Sequence, residues 1–213
     1  MKFAPTQLLL YAITDRHWAA KNSLDLQVRD ALEGGVTCVQ LREKGMAEAE
    51  LIQEASRLTG LCHAYGVPLI VNDNWYAALK SGADGVHLGI EDASIAKVRQ
   101  EAGPDFIIGA TAKTIEQAQL AQAAGADYLG IGAVFPSPTK QTAIRITQEE
   151  LHRICTSVSI PAVAIGGITA ENAEELMGSG IQGLAVVSAI FGAESPRCAA
   201  EHLKQIAKNL TVL

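Results

Sequence analysis

Four glycines, at positions 35, 82, 125 and 180, constrain this chain's fold more than any other feature. Each ends a helix-like segment and leads straight into a strand-like run: Gly35-Val-Thr-Cys-Val, Gly82-Ala-Asp-Gly-Val, Gly125-Ala-Asp-Tyr-Leu and Gly180-Ile-Gln-Gly-Leu. Glycine is the common helix stop because it takes left-handed backbone angles at no steric cost. The repeats stand about two βα units apart and precede strands two, four, six and eight, as four tandem double units would. Strands are expected at 8–14, 38–43, 68–73, 85–89, 106–110, 128–134, 161–168 and 183–190. Helical segments are expected at 24–34, 47–65, 75–81, 94–101, 115–124, 148–156, 173–179 and 198–209. Strict alternation implies parallel strands with helical crossovers. A single-domain α/β (β/α)8 TIM barrel over residues 1–213 is the economical solution; an open doubly wound sheet would need fewer strands.

Composition narrows the partners. A 48% hydrophobic content supports one full core, and a net charge of −6 argues against a nucleic-acid-binding surface. The apolar run from Leu8 to Ile13 is too short for a membrane span, and Asp15-Arg16 follows it without a cleavage-like site. Cys38, Cys62, Cys155 and Cys198 form no C-x-x-C pair, which leaves neither a local zinc motif nor a disulfide framework. A cytoplasmic protein acting on small molecules is expected.

In such barrels chemistry sits at the C-terminal ends of the strands, and the unusual residues collect there. Strand two carries Gln40, Arg42 and Lys44 at alternate positions, so an amide and two cations share one face. An anion between them relieves their repulsion. Strand three ends in Asn72-Asp73, and Asp92 follows strand four. Both aspartates suit helix caps, but as a pair they suit Mg2+, which takes one or two carboxylates and fills its shell with water and phosphate oxygens. Strand five runs into Thr111 and strand six into Pro136-Ser137-Pro138-Thr139-Lys140, a stiff loop with two hydroxyls and an ammonium. Gly166-Gly167 and Val187-Ser188 end strands seven and eight, where phosphate sites of this fold often lie. His87 reads as a core residue without a partner.

Together these residues resemble the thiamine phosphate synthase family. The carrying motifs are Tyr11-Ala-Ile-Thr-Asp-Arg16, Val39-Gln-Leu-Arg-Glu-Lys44, Val71-Asn-Asp73, Gly85-Val-His-Leu-Gly89 with Asp92, Ser137-Pro-Thr-Lys140, Ala164-Ile-Gly-Gly-Ile168 and Val186-Val-Ser-Ala-Ile190. The resemblance implies a barrel that joins hydroxymethylpyrimidine diphosphate to a thiazole phosphate, with or without a carboxylate lost as CO2, and releases diphosphate. It implies that Gln40, Leu41, Arg42, Glu43, Lys44, Asn72, Thr111 and Lys140 bind the pyrimidine diphosphate, with Arg42, Lys44, Thr111 and Lys140 catalytic. Ser137, Pro138, Thr139, Gly167, Val187 and Ser188 would hold the thiazole phosphate, and Asp73 and Asp92 Mg2+. The chain departs from the family at Thr111 (usually Ser), Ile90 (usually Gln), Ser137 (often Thr) and the glycine-free stretch 144–148. Two other activities fit the same fold: a thiazole tautomerase, which generally lacks the diphosphate and Mg2+ residues, and a non-catalytic binder of thiamine precursors.

Overall fold

A computed structural model describes residues 3–18, 23–136 and 145–211. Eight short strands close into a parallel barrel in sequence order: β1 (Leu10–Ile13), β2 (Cys38–Leu41), β3 (Leu69–Asn72), β4 (Gly85–Leu88), β5 (Ile107–Ala112), β6 (Tyr128–Gly132), β7 (Ala162–Ile165) and β8 (Gly183–Val186). Side chains alternate across each strand. Tyr11, Cys38, Ile70, Ile107, Tyr128, Val163 and Ala185 fill the interior, while Leu10, Val39, Leu69 and Leu129 pack outward into the larger core under the helices.

The covering helices are α1 (Leu24–Glu33), α2 (Glu48–Ala64), α3 (Trp75–Ser81), α4 (Ile95–Ala102), α5 (Ile115–Ala123), α6 (Gln148–Thr156), the one-turn α7 (Ser188–Phe191) and α8 (Pro196–Leu210). Ser23, Asn74, Thr114, Thr147 and Ser195 cap the starts of α1, α3, α5, α6 and α8 by accepting backbone N–H bonds. Residues 173–179 do not form the α-helix expected of them. Only a 3-10 turn spans Ala173–Leu176, because Met177 turns extended and Gly178 takes φ +77°. Leu8 likewise lies outside β1, in a 3-10 turn (Pro5–Leu8) that starts on a proline and pushes Leu8 into the barrel floor. Phe3 stacks beside Tyr128 there, with ring centroids 5.9 Å apart.

The glycine repeat has a structural counterpart. Gly35, Gly82, Gly125 and Gly180 all have positive φ, between +74° and +99°. Two residues after each, a polar side chain reaches the start of the preceding strand. Thr37 Oγ1 accepts from Leu10 N at 2.9 Å, Asp84 Oδ2 from Leu69 N at 2.8 Å, Asp127 Oδ2 from Ile108 N at 2.7 Å and Gln182 Oε1 from Ala162 N at 3.1 Å. Each of the four also donates its backbone N–H to the carbonyl of that same residue. These brackets satisfy strand-start donors that the parallel ladder leaves open, and they repeat once per double unit. Arg99 reinforces one of them, bonding Asp127 at 2.6 Å and the carbonyls of Phe106 and Gly125. Replacing Asp127 by Ala should therefore cost about 1–3 kcal/mol, since it strands the Ile108 N–H and takes from Arg99 its one carboxylate partner among the described residues. Urea unfolding measures it against Glu150→Ala, whose exposed pair with Arg153 should be worth under about 1 kcal/mol. Equal losses in the two variants would rule the bracket out as a source of stability.

Candidate functional site

At the C-terminal ends of the strands the barrel opens into a cavity of about 220 Å³. Gln40, Arg42 and Asn72 line one side, Thr111 and Lys113 the next, and Gly166, Gly167, Val187 and Ser188 the opposite side. Tyr11, Ile13, His87, Val163 and Ile165 form its inner walls. Cationic, amide, hydroxyl and apolar surfaces thus converge on one space.

Strand β2 is shorter than its sequence suggests and stops at Leu41, so Arg42, Glu43 and Lys44 lie on the loop beyond it. Gln40 is buried and donates from Nε2 to Tyr11 Oη at 2.8 Å. The Arg42 backbone N–H is anchored by Thr14 Oγ1 at 3.0 Å. Leu41 points the other way, into the core under the helices. The Glu43 side chain is 6% exposed and pairs with Arg16 Nε at 2.8 Å, tying the loop after β1 to the loop after β2. Neither of these two side chains lines the cavity, so they support their neighbours rather than offering groups to a ligand there.

Asp73 and Asp92 stand beyond the cavity lining, next to Asn72. Neither caps a helix. The cap of α3 is Asn74, whose side chain accepts from Ala77 N at 2.8 Å, and Asp92 Oδ2 turns back to accept from Gly89 N at 2.6 Å. Asp73 has φ +64°, a left-handed conformation that costs a side chain of its kind about 1 kcal/mol. Partial desolvation, and the Asp92 carboxyl facing it within hydrogen-bond reach, push the Asp73 pKa up to about 6; Lys44 and Asn72 pull it down. Two carboxyls held face to face, each disfavouring the other's ionised form, suit a divalent cation with few protein ligands, because the cation relieves that repulsion.

Three cavity residues escape sequence reasoning. His87 is no partnerless core residue: Nδ1 meets Tyr128 Oη and Nε2 meets Thr111 Oγ1, both at 3.1 Å. Burial lowers its pKa to about 4, so the imidazole is neutral. Tyr11 is an inward residue of β1, one of the alternating positions that read as ordinary core. Lys113 repeats after Thr111 the alternate spacing seen in Gln40 and Arg42, which is the signal that could have found it. Ser137, Pro138, Thr139 and Lys140 lie outside the described residues.

Fold and site together define an enzyme-type (β/α)8 barrel with a mouth suited to anionic ligands. The family model for thiamine monophosphate synthase matches residues 10–190. The chain is 44% identical to the thiamine-phosphate synthase of Ruminiclostridium cellulolyticum over 94% of its length and 95% of the relative's. To the Pyrococcus furiosus thiamine-phosphate synthase it is 44% identical, covering 96% of this chain and 97% of that one. A solved thiamine phosphate pyrophosphorylase from Pyrococcus furiosus superposes with a TM-score of 0.89 at 42% identity, over 97% of this chain and 98% of that one. The chain belongs to the thiamine monophosphate synthase family.

The facing carboxyls make a direct prediction. Replacing Asp92 by Asn removes one charge and supplies an amide donor, so the Asp73 pKa should fall part of the way from about 6 toward its ordinary value of 3.8. An NMR titration of the metal-free protein reads this shift. A pKa left at 6 would mean that the two carboxyls do not interact.

Proposed function

We propose that this protein is a thiamine phosphate synthase: it couples 4-amino-2-methyl-5-(diphosphooxymethyl)pyrimidine to a thiazole phosphate, yielding thiamine phosphate and diphosphate. The observation that carries this reading is the convergence of Arg42, Gln40, Asn72 and Thr111 on one cavity, with Lys44 and the Asp73–Asp92 pair beside it.

In this reading the diphosphate sits against Arg42, Lys44, Asn72 and Lys140. Arg42 and Lys44 neutralise the charge that grows on diphosphate as its bond to the pyrimidine methylene breaks. Thr111 donates its hydroxyl to the same charge. The pyrimidine ring occupies the inner part of the cavity, where Ile13, Val163 and Ile165 exclude the water that would capture a carbocation. A neutral His87 and neutral tyrosines add no positive charge beside that cation. Ser137, Thr139, Gly167, Val187 and Ser188 hold the thiazole phosphate so that its ring nitrogen captures the methylene. Asp73 and Asp92 would hold Mg2+, which supplies further positive charge to the departing diphosphate. No side chain need form a covalent intermediate.

Thiamine phosphate formation from the two purified substrates, with Mg2+ and with chelator, tests the reading. Turnover only with Mg2+ supports it; binding of both substrates without product would favour a non-catalytic binder, and thiazole isomerisation alone a tautomerase. Arg42→Ala should weaken pyrimidine diphosphate binding by about 1.5–3 kcal/mol, the range for hydrogen bonds to charged groups. Calorimetry showing unchanged affinity in a folded variant would mean that Arg42 does not contact the diphosphate. Gly167 has φ +67°, and a Cβ there would press into the carbonyls of Phe135 and Pro136. Gly167→Val should therefore raise the KM for thiazole phosphate at least tenfold more than that for the pyrimidine, roughly the effect of losing one charged hydrogen bond. Equal effects on both would indicate general disruption of β7.

A further inference from the structure

Beneath the cavity, four hydrogen bonds join side chains from five strands into one unbroken line. Gln40 Nε2 donates to Tyr11 Oη at 2.8 Å, and the Tyr11 and Tyr128 phenolic oxygens are 2.8 Å apart. Tyr128 Oη meets His87 Nδ1 at 3.1 Å, and His87 Nε2 meets Thr111 Oγ1 at 3.1 Å. Gln40, Tyr11 and Tyr128 are at most 3% exposed. Two glycines make room for the line: a Cβ at Gly109 would enter the Tyr128 ring, and one at Gly130 would stand 3.0 Å from His87 Cε1.

Counting protons gives the line a direction. The half-buried His87 ring meets a hydroxyl at each nitrogen and has no carboxylate partner among the described residues, so it is a neutral imidazole with a single N–H. Suppose Nδ1 carries it. Tyr128 then accepts from His87 and donates to Tyr11, and Tyr11 accepts from both Tyr128 and Gln40. The Tyr11 proton is then left without an oxygen or nitrogen acceptor among the described residues, and Tyr11, although in the cavity wall, is only 1% exposed. Suppose instead that Nε2 carries the proton. Tyr11 donates to Tyr128, Tyr128 to Nδ1, and Nε2–H to Thr111 Oγ1, so each of these donors has an oxygen or nitrogen acceptor. The one proton left over belongs to the Thr111 hydroxyl, and Thr111 lines the cavity. An unsatisfied buried donor is costly, whereas a donor facing an anion site is useful.

We infer that His87 is a positioning residue, held by Tyr128 in the Nε2–H form so that the Thr111 hydroxyl is a donor aimed at the ligand. The ligand group it serves is a phosphate oxygen, an identity that rests on the proposed reaction; the direction of the line does not. His87 itself transfers no proton in this role. Tyr128 does not line the cavity, so its hydroxyl acts on the ligand only through this line.

The 15N NMR spectrum of the histidine-labelled full chain, without substrates, reads the tautomer directly, with His87→Gln assigning the signal. A protonated Nε2 beside a bare Nδ1 is expected; a protonated Nδ1 overturns the inference, whether or not the protein has coupling activity. A kinetic cycle gives the second readout. Tyr128→Phe keeps the ring and should lower kcat/KM about tenfold, the size of one hydrogen bond, yet cause no further loss in a Thr111→Ala background. Equal losses in both backgrounds would show that Tyr128 acts without Thr111 and would overturn the relay. If Tyr128→Phe does not fold, the wild-type spectrum alone decides.

Discussion

Pairing of β8 with β1, with Leu184 against Leu10 and Val186 against Ala12, is the constraint on which the rest of the structure depends. Closure turns a row of strands into a ring, so their C-terminal ends face one another across a common space. Arg42 and Asn72 then oppose Gly167 and Ser188 although some 95 residues or more of chain separate them. An open sheet of the same strands would lay these groups along an edge with no shared ligand. Closure also places Tyr11 of β1 beside Tyr128 of β6 across the barrel interior, at 2.8 Å between hydroxyls.

That interior is unusual in carrying polar atoms through an apolar core. Burying a hydroxyl or an imidazole without a partner is unfavourable by a few kcal/mol, so such groups persist only when each meets another. Here each meets the next, and the line ends at the cavity, where the neutral His87 sits beside the space assigned to the pyrimidine. The cations lie on loops above, where water and ligand can compensate their charge. In the proposed reaction, charge at the rim would hold the anion and neutral polarity at the base would tolerate a carbocation.

Much of this was legible in the residues. The glycine repeat supported the count of units, because a helix stop leading into a strand recurs at Gly35, Gly82, Gly125 and Gly180; the polar brackets two residues on depend on contacts only the fold makes. The cavity placement of Gln40, Arg42, Asn72, Thr111, Gly167 and Ser188 followed from the rule that strand ends carry chemistry. What was hidden depends on contacts across the barrel. His87 read as a partnerless core histidine because its partners, Tyr128 and Thr111, lie 41 and 24 residues away. The ion pair that occupies Glu43 was invisible for the same reason, since Arg16 comes from another loop. Short irregular turns were hidden too. Nothing in the pattern of 173–179 distinguishes a single 3-10 turn from a helix.

The central claim is that the carboxylate pair and the cations converge on one diphosphate. Calorimetric titration of inorganic diphosphate, with and without Mg2+, into the wild-type protein and Asp73→Asn measures this directly. The account predicts that Mg2+ tightens diphosphate binding to the wild-type protein by tenfold or more, about 1.4 kcal/mol, and that Asp73→Asn abolishes the gain. Diphosphate affinity that ignores Mg2+ in both proteins would contradict it.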